Sequence, residues 1–222
     1  MDNKEAKARS LFNTERKVVS DNTYNAVIGL TLLWGIVINV LMAFFLTPYI
    51  VPLNRSVVII GYLVVSFACR YVVFKSNNAL ISILGFTGLA GAMGVLLTYV
   101  LKRYTSATIY SAFLSTGIIL VVMIILSTLY PAFFRKLGRV LFIALVGSLV
   151  VQLVGGLLLH LRLGFMDYIL VVIFSGYIGY NWSRAQAYPK TIDNAIDSAA
   201  SIYIDIINIF IRLLRIIERS KD

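Results

Sequence analysis

Asp205 lies inside the apolar run from Ala199 to Ile217, and Ser198, Ser201, Asn208, Arg212 and Arg215 accompany it at spacings of 3, 4, 3, 4 and 3 residues. At 100° per residue these six side chains fall on one helix stripe roughly 100° wide, with Ile, Leu, Phe and Tyr over the rest of the surface. A carboxylate among hydroxyl, amide and guanidinium groups can carry a proton or offer oxygen to a hard cation such as calcium, so Asp205 is a weak calcium candidate. Two readings of the stripe stay open. It faces water on a helix lying in the membrane interface, or it lines a polar path on a central helix, which the width of the apolar side and the length of about 25 Å favour. For Asp205 the alternatives are a functional group facing a cavity or partner and a protonated acid hydrogen-bonded to a neighbouring helix. Other chemistry is excluded. One cysteine, Cys69, gives no disulfide framework or thiolate metal centre, and one histidine, His160, gives no multi-histidine zinc site. With one deep carboxylate besides, the convergent groups that hydrolysis or metal catalysis needs are missing, and we expect no enzyme and no cofactor.

The elements that position these residues follow from composition. The chain has 222 residues, 59% apolar and 14% charged, more apolar surface than a soluble core of this size uses. A hydrocarbon layer of ~30 Å takes about 20 helical residues per crossing. Apolar runs at roughly Tyr24 to Leu46, Ser56 to Phe74, Ala79 to Leu101, Ala107 to Tyr130, Val140 to Leu159 and Phe165 to Trp182, with Ala199 to Ile217 as a seventh, predict an all-α membrane protein. The expected organisation is a polar N-terminal tail over 1–22, one seven-helix transmembrane domain over 23–218 and a short tail over 219–222. Pro48, Pro52, Pro131 and Pro189 fall at the ends of runs or between them, where a missing N–H does least harm. Gly85, Gly88, Gly91 and Gly94, and Gly176 with Gly179, would let helix backbones approach closely. The first 22 residues show no removable signal peptide.

The formal charge of +10 sits between apolar runs, where it reports topology and contact with the lipid bilayer rather than nucleic-acid binding. With a cytosolic N-terminus, that side receives 12 Lys and Arg and the other side 4, so the N-terminus is expected in the cytosol. Four more, Arg212, Arg215, Arg219 and Lys221, follow or end the last run. Charge alone favours a last helix that dips in and returns, but a helix buried by six others need not obey that rule, and full crossing is the expectation. Asp193 and Asp197 open the last helix, where acids cap N–H groups and complement the dipole. By depth, Arg70 near the end of the second span, Asn181 closing the sixth and Asp205 about 9 Å into the last helix reach one layer. Arg70 reads equally as a snorkelling end charge.

The strings GYIGYNWSRAQ, closing the sixth span, and DNAIDSAASIYIDIINIFIRLLRII, forming the last helix, resemble the Bax inhibitor-1 family, the transmembrane Bax inhibitor motif proteins. Agreement in span number, basic N-terminal tail and the Arg near the end of the second span extends the resemblance over most of the chain. It implies a seven-helix transmembrane bundle with the last helix central and, in prokaryotic members, a pH-sensitive calcium leak in the plasma membrane. In such proteins an aspartate ending the sixth helix and one in the last sense protons, and an Arg on the second helix latches to them. Here the last-helix aspartate is Asp205 and the latch is Arg70. The sixth-helix aspartate is replaced by Asn181 in Tyr180-Asn181.

That replacement has consequences. Two facing carboxylates titrate as a coupled pair, whereas one carboxylate facing an amide keeps a hydrogen bond and loses the like-charge interaction. Calcium, which takes six to eight oxygens with carboxylates among them, loses a negative ligand. The expectation is therefore a passive calcium or cation leak with altered or lost pH gating, through Asp205, Asn181 and the stripe. A non-conducting regulator that binds other membrane proteins in stress or cell-death control is the alternative.

Overall fold

Helix starts in this chain are written by small polar residues ahead of apolar runs. Ser20 Oγ accepts the Thr23 N–H at 3.2 Å and opens α1 (Asp21–Phe45); Asn54 and Asn78 do the same for α3 (Arg55–Lys75) and α4 (Ala79–Leu101), accepting from Ser56 and Leu80. Thr105 caps α5 (Ser106–Leu129). Each satisfies one of the N–H groups that a helix's first turn leaves without a partner. Pro131 sits at the first position of α6 (Pro131–Lys136), where it has no N–H to lose. A single turn, α2 (Thr47–Ile50), α7 (Gly138–Leu153), α8 (Met166–Ala187) and α9 (Ile192–Arg219) complete the order. The computed structural model describes residues 18–50, 52–155 and 164–221, and among these the protein is all helical, without a strand. Most of the expected N-terminal tail, with Lys4, Lys7, Arg9, Arg16 and Lys17, lies outside the described residues. So do His160, Arg162 and the end of the expected fifth span.

Among the described residues four helices, α1, α3, α4 and α5, are long and apolar enough to cross a membrane. The described part of α7 is apolar but has 16 residues. The sequence predicts seven crossings, and α8 and α9 fall short in composition rather than length, at 22 and 28 residues. Both carry acids, amides and arginines that a lipid-facing helix would not tolerate. Burial runs opposite to hydropathy. On α5, Tyr110, Phe113, Leu114, Ile118 and Val121 are exposed, whereas on α9 Ala195, Ala199, Ala200, Ile202, Tyr203 and Ile209 are fully buried. Such an inversion is the expected solution when lipid, not water, is the solvent around the outer helices.

The described residues divide into two compact, interleaved units: one takes in the chain up to Lys102 together with Ala185–Ser201, the other Arg103–Arg184 together with Ile202 onward. Thus α9 gives its first turns to the first unit and the rest to the second. In the first unit α4 packs on α1 and α3. A Cβ at Gly88 would stand 2.7 Å from Cys69 Sγ, and one at Gly85 2.8 Å from Val73 Cγ2, so α3 and α4 approach at a distance that no side chain at these positions allows. In the second unit Gly176 and Gly179 give α8 the same smooth face, filled by Leu141 of α7 and Phe134 of α6.

Candidate functional site

In the last turns of α8, Asn181 Nδ2 donates to Asp205 Oδ2 of α9 at 2.7 Å. Asp205 is 5% exposed, and a hydrogen bond of this length in a low-dielectric setting holds the two helices in register. Tyr177, one turn before Asn181, faces the Asp205 carboxylate closely enough for their charges to interact. Its ring lies edge-on to Tyr180 at 6.3 Å. The approach of α8 depends on Gly179, whose missing side chain leaves room for the Phe134 ring.

Further along the stripe, Asn208 returns its amide N–H to the Ile204 carbonyl at 2.8 Å. Arg212 Nη1 donates to Asp167 Oδ1 at 3.0 Å, Arg219 Nη2 to Asp167 Oδ2 at 2.7 Å, and Arg215 Nη1 stands 3.5 Å from Oδ1. Asp167 opens α8 and is 5% exposed. Three guanidinium groups therefore converge on one buried carboxylate.

The stripe's serines belong to the first unit. Ser198 Oγ donates to the Asn194 carbonyl at 2.7 Å and Ser201 Oγ to the Asp197 carbonyl at 3.1 Å, bonds a hydroxyl makes readily inside its own helix. Ser198 also lies 3.3 Å from the hydroxyl of fully buried Tyr24, which donates to the Ala185 carbonyl at 3.0 Å. At the opening of α9, Asp193 stands in the first turn as expected, Thr191 Oγ1 accepts the Asn194 N–H at 3.2 Å, and the buried Asp193 carboxylate accepts from Ser82 Oγ at 2.7 Å. In the linker before α9, Lys190 lies 4.5 Å above the Tyr24 ring and donates to Gln186 Oε1. Burial pushes its ammonium below the ordinary lysine value, against the opposing pull of Asp21.

Of the sequence-predicted residues, Asn181 and Asp205 are brought together, Arg212 is turned to Asp167, and Arg70 is exposed on α3 without an ion pair among the described residues. Asp167 was not singled out from sequence. The available signal was the spacing of Arg212, Arg215 and Arg219, which share a face one and two turns apart and call for an acid opposite. Among the described residues no three His, Cys, Asp or Glu side chains gather as a metal site.

Residues 16–222 match the family described as Inhibitor of apoptosis-promoting Bax1. The chain belongs to the Bax inhibitor-1 family. It is a membrane protein of that family, in keeping with its four apolar helices. It is 32% identical over 141 residues to an uncharacterized membrane protein of Streptococcus pyogenes serotype M3, covering 59% of this chain and 60% of that one. It is 30% identical over 175 residues to an uncharacterized protein of Helicobacter pylori strain J99, covering 76% and 73%. The match to the streptococcal protein thus spans about 60% of that protein's length.

Proposed function

We propose that this Bax inhibitor-1 protein is a passive leak for calcium or another cation, with pH gating weakened or lost by the Asn at position 181. The observation that carries this reading is the part-buried Asn181–Asp205 hydrogen bond. A single carboxylate beside an amide supplies fewer oxygens and one fewer charge than a calcium-holding site needs, which suits an ion passing rather than one retained. Asp205 lines the path, Asn181 is its polar neighbour, Ser198, Ser201, Asn208 and Arg212 continue the stripe, and Arg70 acts as a latch in the closed state. In this reading all seven long helices cross the plasma membrane of a prokaryotic cell, with α9 central and the N-terminus cytosolic. The test is calcium entry into liposomes containing the purified protein. The leak predicts flux above empty liposomes and a several-fold change in Asp205→Asn, whereas equal entry in empty, wild-type and variant liposomes would refute it.

A second reading has its own support. The stripe's serines are bonded within their helix, and Arg212 is held by Asp167, which leaves few stripe groups ready for a passing ion. The protein would then be a non-conducting regulator that binds other membrane proteins in stress or cell-death control. Crosslinking in membranes followed by purification separates the two, since a leak needs no partner.

A further inference from the structure

We infer that the arginine cluster around Asp167 is a binding site for the phosphate of an anionic phospholipid. Among the described residues, Arg212, Arg215 and Arg219 bring three positive charges to one negative charge. Nearby, the negative charge of Glu218 is met by Lys221, 4.0 Å away, so among the described residues the ion pairs at Asp167 carry an excess of two positive charges. The three arginines differ in availability. Arg212 is 15% exposed at its side chain and committed to Asp167, while Arg215 and Arg219 are 44% and 43% exposed. Arg215, at 3.5 Å, makes an ion pair without a hydrogen bond. A guanidinium carries five donors in a planar fork suited to phosphate oxygens, so both outer arginines keep donors that Asp167 does not use.

Adjacent apolar surface points to a lipid rather than a free anion. Phe165, just before α8, and Tyr168, Ile169 and Val172 on its first two turns are exposed and flank buried Asp167. Aromatic rings at the end of a helix, followed inward by aliphatic side chains, match the headgroup-to-chain boundary of a bilayer. A phosphodiester on Arg215 and Arg219 with its acyl chains along Ile169 and Val172 satisfies both surfaces at once. Basic pockets at helix ends take anionic headgroups for this reason.

The test is native mass spectrometry of the full chain in detergent, titrated with phosphatidylglycerol or phosphatidylcholine. Wild type should prefer phosphatidylglycerol. At about fivefold per arginine near the surface, Arg215→Gln/Arg219→Gln should weaken that preference about 25-fold, and Arg215→Lys/Arg219→Lys should retain most of it. Arg135→Gln/Lys136→Gln, which removes exposed charges from α6, should leave it unchanged. Equal binding of the two lipids by wild type, or equal loss in both Gln pairs, would overturn the site. Displacement of phosphatidylglycerol by millimolar inorganic phosphate would overturn the assignment to lipid.

Discussion

Two carboxylates in the second unit are equally buried and oppositely furnished. Asp205 and Asp167 are each 5% exposed. Asp205 is met by the neutral amide of Asn181 at 2.7 Å, and Asp167 by the guanidinium groups of Arg212, Arg215 and Arg219. Burial alone therefore does not fix what an acid does in this protein. The charge opposite it does. Asp167 is clamped by an excess of positive charge and fastens the start of α8 to the end of α9. Asp205 accepts a hydrogen bond from Asn181, a group that cannot change its charge, so this junction between the same two helices pairs a carboxylate with an amide and not with a second carboxylate.

The contrast makes graded predictions for thermal unfolding of the purified protein. Asp167→Ala should be the most damaging, because it leaves the largely buried Arg212 facing two like charges; loss of one partner from a buried pair costs about 3–5 kcal/mol. A loss no greater than that of an exposed charge would show that the cluster is solvated and not a clamp. Gly179→Ala comes next, at about 1–3 kcal/mol, since a methyl group there meets the Phe134 ring and must push α8 away. Full stability in this variant would mean that α8 does not need that approach to bring Asn181 to Asp205. Asp205→Asn should be mildest, at about 1 kcal/mol, because the amide oxygen can still accept from Asn181 Nδ2. A loss matching Asp167→Ala would place an unseen charge opposite Asp205 and erase the contrast.

Much of the helical layout was legible because apolar runs and caps are local signals. The run from Ala79 to Leu101 coincides with α4, and that from Ala107 to Tyr130 differs from α5 by one residue at each end. Less legible was which helices meet lipid. Hydropathy marks α5 and α3 as strongly as any, while α8 and α9 are masked by the polar side chains they bury. Depth along the spans put Asn181 and Asp205 in one layer and the family resemblance paired them, since spacing along a helix cannot say which neighbour a stripe faces. Asp167 was hidden for the same reason. One acid at the start of a run reads as a dipole charge, and its partners Arg212 and Arg219 lie 45 and 52 residues away in sequence. Asp193 marks the start of α9 in the sequence, but its bond from Ser82 and the Thr191 hydroxyl that accepts from Asn194 involve partners that no local pattern reveals.

The central claim is that Asn181, standing where the family resemblance places a second acid, meets Asp205 with an amide instead of a titrating carboxylate. It is tested most directly by the pH profile of calcium entry into liposomes for wild type and Asn181→Asp. Restoring the second carboxylate recreates a coupled pair and returns a negative ligand to the path, so the variant should gain a steep pH dependence, on the order of tenfold across a coupled titration, over a flat wild-type profile. A wild type already steeply pH-dependent, or an Asn181→Asp profile superimposable on it, would contradict the account.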